Sequence, residues 1–149
     1  MSITLLPSTT TATSDTVDAI ITNIEAVLVG LGLSLEDLSG DDIPTTPLAV
    51  LSYEGEEFDD SFGERPYYNT ATFSARVMAA ATTPDTDRDV QRAWVHALKN
   101  ALTVSALNIG DLVASKLVAR VDHTGPTILR EGKILIVDYD FGVKYRVTT

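Results

Sequence analysis

The sequence predicts an α+β fold, an antiparallel sheet of about four strands with two helices packed on one face, preceded by an extended N-terminal arm. Two segments repeat apolar residues at spacings of three and four, and two others alternate apolar with polar residues. The segments follow in the order helix, two strands, helix, two strands. Adjacent strands with short connections favour hairpins, and both helices must then cover one face of the sheet.

The chain divides into an arm and one domain. Residues 1–14 carry no charge until the helix begins, are rich in Ser and Thr, and include Pro7. We expect them to be extended, and ordered only where something such as a partner chain holds them. They lack the basic start of a secretory signal, and no apolar run approaches the ~20 residues of a membrane span, so we expect no membrane contact. Residues 15–149 are predicted to form a single α+β domain.

The first predicted helix follows the arm. Ser14 or Asp15 can cap its start, and Gly32 can end it. A single apolar stripe predicts that the helix lies on a sheet. The stripe consists of Val17, Ile20, Ile21, Ile24, Val27, Leu28 and Leu31.

A connector over residues 34–47 leads to a short strand at 48–53, which is apolar enough for a central position in a sheet. Residues 54–64 then hold six carboxylates. Such crowding predicts a solvated loop unless a cation or a partner neutralises it. Two aromatic residues within it, Phe58 and Phe62, are more typical of an interface than of a surface facing water.

Residues 67–79 alternate as a half-buried strand with a polar outer face. The second helix is predicted over Asp87–Leu102, with Thr86 or Asp85 as its cap. Its predicted buried stripe consists of Val90, Ala93, Trp94, Ala97, Leu98 and Ala101.

The end of the chain gives the clearest strand. Residues 112–122 fit a strand or a short helix, with strand favoured in the last half, and a turn is predicted at 123–126. From residue 134 to 147 the apolar and polar residues alternate. A strand that long would extend past a domain of this size, so we expect it to bend near Gly142 or to project outward.

Catalytic and metal-binding patterns are weak. The chain has no Cys, which removes thiolate ligands and thiol nucleophiles. The spacing of Asp85, Asp87 and Asp89 resembles the start of a calcium loop, but Val90 stands where such a loop needs Gly, and a capped helix start explains these acids better. We expect His96 on the surface and His123 in a turn.

The two acids Asp138 and Asp140 share one strand face and could raise one another's pKa for acid–base chemistry. A solvated outer face is the favoured interpretation. We therefore expect no enzyme, no cofactor and no metal.

Charge is unevenly distributed along the chain. Arg65 is the first basic residue, so residues 1–64 carry thirteen carboxylates and no base, and residues 65–149 carry eight acids and eleven bases. Opposite charges on the two halves suit a head-to-tail contact between copies. Neutralisation within one chain, or a solvated acidic loop, would also account for the pattern. The net charge of −10 argues against binding to a phosphate backbone.

This order of elements resembles the tail terminator proteins of tailed bacteriophages, a family of the head–tail neck. The features that carry the resemblance are the helix over residues 17–31, the strand containing TATFSARV, the helix over 87–102 and the closing GKILIVDYDFGVKYRV. The resemblance implies a structural virion protein whose copies form a six-fold ring. The ring caps the tail tube and joins it to the head, and DNA passes through its hole without specific binding.

The same resemblance implies the partners and the location. They are further copies of the chain, the tail tube protein, a head-completion or connector protein and, in a contractile tail, the sheath protein. The protein would be assembled in the host cytoplasm and reside in the tail or neck of the virion. The family has no catalytic motif, so the candidate interface residues come from this sequence alone.

Two candidate surfaces follow. The acidic set is expected to meet a neighbouring subunit or line the hole, and consists of Glu54, Glu56, Glu57, Phe58, Asp59, Asp60, Phe62 and Glu64. The basic counter-surface consists of Arg76, Arg88, Arg92, Lys144 and Arg146. The alternatives are a head-completion or stopper protein, a small enzyme or ligand-binding protein with a deep pocket, and a non-viral oligomeric scaffold.

Overall fold

The structure is a computed structural model that describes residues 12–35, 44, 46–58, 68–110 and 117–147, with side chains of the first helix described from Thr16 onward. The predicted α+β class is confirmed, because a four-stranded antiparallel sheet carries helices packed against it. In chain order, the elements are α1 (Ala12–Gly30), β1 (Leu48–Phe58), β2 (Tyr68–Ala80), α2 (Pro84–Ala101), α3 (Val104–Leu107), β3 (Val118–Glu131) and β4 (Ile134–Arg146).

The sheet consists of two hairpins joined side by side. The strand order is β1-β2-β4-β3 and each neighbouring pair is antiparallel. The prediction that residues 48–53 form a central strand is wrong, because β1 lies at an edge. Its apolar character has a different cause: Ala49 and Leu51 pack into the core against α1 and β2.

One face of the sheet, here the inner face, packs on the helices. Alternate residues of β2 and β4 are buried there, as their alternation predicted, and α1 adds Ile20, Ile24 and Leu28, which have no exposed surface. The aromatic centre of this core is Phe73, Tyr139, Phe141 and Tyr145. The opposite, outer face carries the polar side chains of the same strands.

The last strand does not project outward from the sheet. β4 pairs with β2 over its full length, from Ile134 opposite Ala80 to Arg146 opposite Tyr68, so the predicted outward projection is wrong. Gly142 has another role: a Cβ atom there would lie 3.0 Å from Cγ2 of Thr70. The glycine therefore allows close contact between β2 and β4.

The turn predicted at residues 123–126 is also wrong, because β3 continues to Glu131. A bulge between His123 and Gly125 accommodates these residues, and Gly125 has a φ of 122°. Pro126 is tolerated because β3 is an edge strand, where a missing N–H group costs little. The chain turns instead at Gly132 (φ 58°) and Lys133, between β3 and β4.

Helix boundaries differ from the predictions in small ways. α1 begins at Ala12, so residues 12–14 belong to the helix rather than the arm, and residues 1–11 lie outside the described residues. Ser14 and Asp15 therefore lie within the first turn of α1 rather than at its cap. α2 begins at Pro84 with Thr83 as its cap, rather than at Thr86 or Asp85, since Pro suits the first helical position.

The buried face of α2 also differs from its predicted stripe. Ala93 is exposed, whereas Gln91 is buried. The Gln91 amide donates to the carbonyl oxygens of Leu129 (2.9 Å) and Ile136 (3.2 Å). These hydrogen bonds fasten α2 to the β3–β4 hairpin and satisfy the buried amide.

Candidate functional site

The acidic segment is a strand for its first half. Residues 54–58 were predicted as the start of a loop, but β1 continues through them, so Glu54, Glu56, Glu57 and Phe58 are all strand residues. Pairing with β2 explains the difference, because the ladder reaches Phe58 opposite Asn69. The remaining members of the acidic set, Asp59, Asp60, Phe62 and Glu64, lie outside the described residues.

A bulge sorts these side chains between the two faces of the sheet. Tyr53 pairs with Phe73, and the register then shifts so that Glu56 pairs with Ala71. Because Phe73 and Ala71 belong to the inner face, Tyr53, Glu56 and Phe58 share it, although Tyr53 and Glu56 are three residues apart. Glu57, opposite Thr70, lies on the outer face, and Glu54 lines an outer groove with Arg76 and Asp138.

Glu56 is held in place by Tyr145. The buried Tyr145 hydroxyl donates to the Glu56 carboxylate, 3.0 Å from either oxygen. Burial, together with the charge of Glu56, raises the pKa of the Tyr145 phenol. Burial and the same carboxylate raise the pKa of Tyr53 to about 12. Glu56 therefore has a structural partner in its own chain, which the sequence did not indicate.

A neighbouring amide leaves one acceptor unused. Asn69 is buried, and its Nδ2 atom donates to the Tyr145 hydroxyl at 3.4 Å. Its Oδ1 atom is buried and accepts no hydrogen bond from a described residue. Among the described residues, the group of Glu56, Asn69 and Tyr145 is thus polar and short of one donor.

Replacing Tyr145 with phenylalanine is expected to lower the free energy of unfolding at neutral pH by about 1–3 kcal/mol, since a hydrogen bond to a charged group is lost. The substitution should also change how the free energy of unfolding falls at alkaline pH. A raised phenol pKa in the folded state stabilises the protein fully below pH ~10, and this contribution is lost as the pH rises through the folded value.

The check for Tyr145→Phe is urea unfolding at pH 8, 10 and 11. The wild type should lose stability across this range more steeply than Tyr145→Phe. Equal slopes for the two proteins would contradict the environment described for Tyr145.

The predicted basic counter-surface is two surfaces. Arg76, Lys144 and Arg146 lie on the outer face of the sheet, whereas Arg88 and Arg92 lie on the exposed side of α2, which packs on the inner face. A single flat contact could not engage all five.

Most of these cations already have partners in the chain. Arg76 binds Asp138 through two hydrogen bonds of 2.7 and 2.9 Å. Arg88 and Arg92 pair with the acids three residues earlier, at 2.6 and 3.7 Å. Lys144 lies 5.3 Å from the centre of the Tyr68 ring, and Arg146 makes no ion pair with a described residue. All of these ion pairs lie within residues 65–149, so in the described part of the chain they neutralise none of the acids of residues 1–64.

A groove lies between α1 and β1 that the sequence did not reveal. It has a volume of about 320 Å³ and is mainly apolar. Tyr53, half of whose surface is exposed, stands at its rim with its ring 5.8 Å from that of Phe73. We call it the α1–β1 groove, and its lining is Ile21, Glu25, Leu35, Ala49, Val50, Leu51, Tyr53 and Phe73.

The other candidate residues have structural surroundings. Asp85 and Asp89 bind the arginines described above, and Asp87 is buried at the start of α2. Within the residues that the structure describes, no group of three or more acids and histidines could hold a metal ion. Asp138 is engaged by Arg76.

The two histidines differ. His96 is exposed, as predicted, but His123 lies on β3 rather than in a turn, and its Nδ1 atom hydrogen bonds to the hydroxyl of Tyr139. Burial and the charge of Lys99 lower the pKa of His123 despite the opposing charge of Asp122. The neutral imidazole therefore suits this position as a packing and hydrogen-bonding group.

No described helix has the length and apolar content needed to cross a membrane.

Comparison with known proteins gives little direct guidance. No protein-family model and no curated protein matches the chain. A solved structure described as the virion of a native gene transfer agent (GTA) particle contains a similar chain. The two are 14% identical with a TM-score of 0.37, and the match covers 87% of this chain and 93% of that one. A likeness at this level carries no argument about what the protein does.

Proposed function

We propose that this chain is a structural virion protein, a tail terminator whose copies form a six-fold ring that caps the tail tube and joins it to the head. The observation that carries the proposal is the exposed end of β1. There, Tyr53 and Phe58 keep 50% and 66% of their surface exposed on the inner face, and the carboxylates of Glu54 and Glu57 are exposed on the outer face of the same strand end. Exposed large aromatics are typical of protein interfaces.

The charges refine the contact. Glu54 and Glu57 form no ion pair with any described residue, so they remain available to a neighbour. On the basic side, Arg76, Arg88 and Arg92 are engaged within the chain. In this proposal a head-to-tail contact uses the acidic end of β1 on one copy and the Lys144–Arg146 end of the outer face on the next.

The remaining roles follow from the resemblance and the charge. The partners would be the tube protein, a head-completion or connector protein and, in a contractile tail, the sheath protein. A net charge of −10 suits a hole through which DNA passes without binding. We propose that the protein acts without catalysis, in the tail or neck of the virion, after assembly in the host cytoplasm.

Reversing Glu54 and Glu57 to lysine is expected to reduce ring formation, because two carboxylates at the contact become cations. The measurement is the mass distribution in solution, alone and with tail tube protein. Both side chains are exposed and unpaired within the described chain, so folding should be retained. Glu56 is left intact because it holds Tyr145.

The matched control reverses two exposed acids elsewhere, Asp18 on α1 and Glu131 at the end of β3, with the same change in net charge. The control should assemble as the wild type does. Equal assembly of both variants would show that the acids of β1 are merely solvated. A wild-type chain that stays monomeric and never associates with tube protein would end the ring proposal.

One observation favours a second candidate function. The α1–β1 groove is apolar and open, and could accept a small hydrophobic ligand. The test is whether a metabolite or lipid raises the melting temperature of the isolated chain. If it does, and if Leu51→Asp, which places a charged side chain in the groove, abolishes the effect, a ligand-binding protein is favoured. A stopper or head-completion role shares the neck location, and cross-linking in assembled particles separates it from a terminator.

A further inference from the structure

The outer edge of β1 has open hydrogen-bonding groups. Ser34 pairs with its beginning, since Ser34 N–H donates to Pro47 O (3.1 Å) and Ala49 N–H donates to Ser34 O (2.8 Å). Backbone groups alternate in direction along an antiparallel strand, so those of Leu51 and Tyr53 face the same edge as Ala49 N–H. No described residue pairs with Leu51 or Tyr53 on that side. Such an edge is a template for another strand.

The α1–β1 groove lies beside this edge. A strand added to β1 would place alternate side chains over Ile21, Leu51 and Phe73, and would cover the exposed side of Tyr53. Main-chain hydrogen bonds and apolar side-chain contacts would then combine, as in peptide recognition by strand addition.

Charge selects the segment that can fill this site. The surroundings are acidic, with Glu25 in the groove and Glu54 and Glu57 farther along β1. Residues 36–43 contain four acids, and residues 59–67 contain three acids and one base, so both would be repelled. Residues 1–11 contain no charged side chain and include Ile3, Leu5 and Leu6 among Ser and Thr. Their β-branched and apolar content suits a strand.

We propose that residues 2–6 of a second copy of this chain add as a strand to the edge of β1 and fill the α1–β1 groove. This deepens the proposed function and rests on its self-association. One copy's arm on the next copy's edge is a head-to-tail contact that can repeat around a ring.

Chain topology favours a second copy over the same chain. Leu31 and Gly32 at the end of α1 lie near Pro47, while Ile21 lies near Tyr53, so α1 runs antiparallel to β1. An arm of the same chain parallel to β1 would form a strand–helix–strand crossover with α1. The chain already contains one such crossover, formed by β2, α2 and β3, with its helix on the same face of the sheet.

Both crossovers, from the arm to β1 and from β2 to β3, would move across the sheet in the same direction. The strands of the first would run opposite to the strands of the second, so one crossover would be right-handed and the other left-handed. Right-handed crossovers account for about 98% of cases, and both cannot be right-handed here. An antiparallel arm of the same chain would need residues 7–11 to return along the groove to Ala12, and the double-variant cross-link below tests for it.

The other edge of the sheet is protected against such an addition. β3 has two bulges and contains Pro126, and both features interrupt regular pairing at an edge. Ile128 on β3 is nonetheless 51% exposed, close to the 50% of Tyr53. It therefore provides a matched control position.

The experiment uses the absence of Cys from the chain. A tagged Leu5→Cys protein is mixed with an untagged Tyr53→Cys protein under assembly conditions and treated with a short bismaleimide. We expect a covalent adduct of the summed mass. The same mixture made with Ile128→Cys in place of Tyr53→Cys should give little of this covalent adduct. Deleting residues 2–11 from the otherwise unchanged chain should shift its assembled mass towards the monomer.

Each contrary outcome has a distinct meaning. Rings that form without the adduct, or that form equally well without residues 2–11, overturn the arm proposal and leave the ring intact. A link confined to single molecules of a Leu5→Cys/Tyr53→Cys double variant, with no mixed adduct, shows that the arm binds its own chain and also overturns it. A chain that never self-associates overturns both proposals.

Discussion

Replacing Phe141 with alanine is expected to lower the free energy of unfolding by about 3–5 kcal/mol. Phe141 has no exposed surface and lies in the middle of β4. Its ring stacks on Phe73 with 5.6 Å between centroids and lies 6.1 Å from that of Tyr139. Truncation removes these contacts and leaves an apolar cavity that water does not fill. Urea unfolding followed by circular dichroism measures the loss.

Phe58→Ala is the matched comparison. With 66% of its surface exposed at the end of β1, Phe58 contributes little to the isolated fold, and its truncation should change the free energy of unfolding by no more than ~0.5 kcal/mol. The same variant should assemble less well, because interface energy concentrates in aromatic residues. If Phe58→Ala destabilises the monomer as much as Phe141→Ala does, Phe58 is covered within its own chain and its interface role is wrong.

Periodicity predicted the central strands well. Along β4, Leu135, Val137 and Phe141 all face the core, and β2 shows the same pattern through Phe73 and Val77. Such strands have one buried face, so the side-chain period of two is written directly into the sequence. The apolar stripes located both helices, although α2 buries Gln91 and exposes Ala93.

Edge strands were harder to predict because their signals are ambiguous. Gly125 and Pro126 are turn residues in most contexts, but at an edge a bulge accepts the glycine and no partner needs the proline N–H. Likewise, the charged residues 54–58 resemble a loop, yet an edge strand tolerates them since one side of it faces solvent. Local composition cannot report where a strand lies in a sheet.

The candidate site depends on pairings that no local pattern contains. Glu56 and Tyr145 are 89 residues apart, and Arg76 reaches Asp138 only because β2 lies directly beside β4 in this register. The sequence placed Arg76 and Asp138 on strands but could not tell that they would pair with each other. The α1–β1 groove was missed for the same reason, since it forms between two elements.

Replacing Asp87 with alanine is expected to lower the free energy of unfolding by about 2–4 kcal/mol. The Asp87 side chain is buried at the start of α2, and its Oδ1 atom accepts hydrogen bonds from the backbone N–H (2.7 Å) and the hydroxyl (2.9 Å) of Thr82. Arg130 Nη1 lies 3.3 Å from Oδ2 without hydrogen-bond geometry. The variant would remove the two hydrogen bonds that Thr82 donates and a favourable charge at the helix N-terminus.

Asp85→Ala is the matched control in the same helical turn. Asp85 is almost fully exposed and its ion pair with Arg88 is solvated, so its loss should cost no more than ~0.5 kcal/mol. Thermal and urea unfolding of both variants separate a buried structural carboxylate from a surface one. Comparable small losses would mean that Asp87 is solvated in solution, and α2 would then be attached to the sheet through Gln91 and apolar packing.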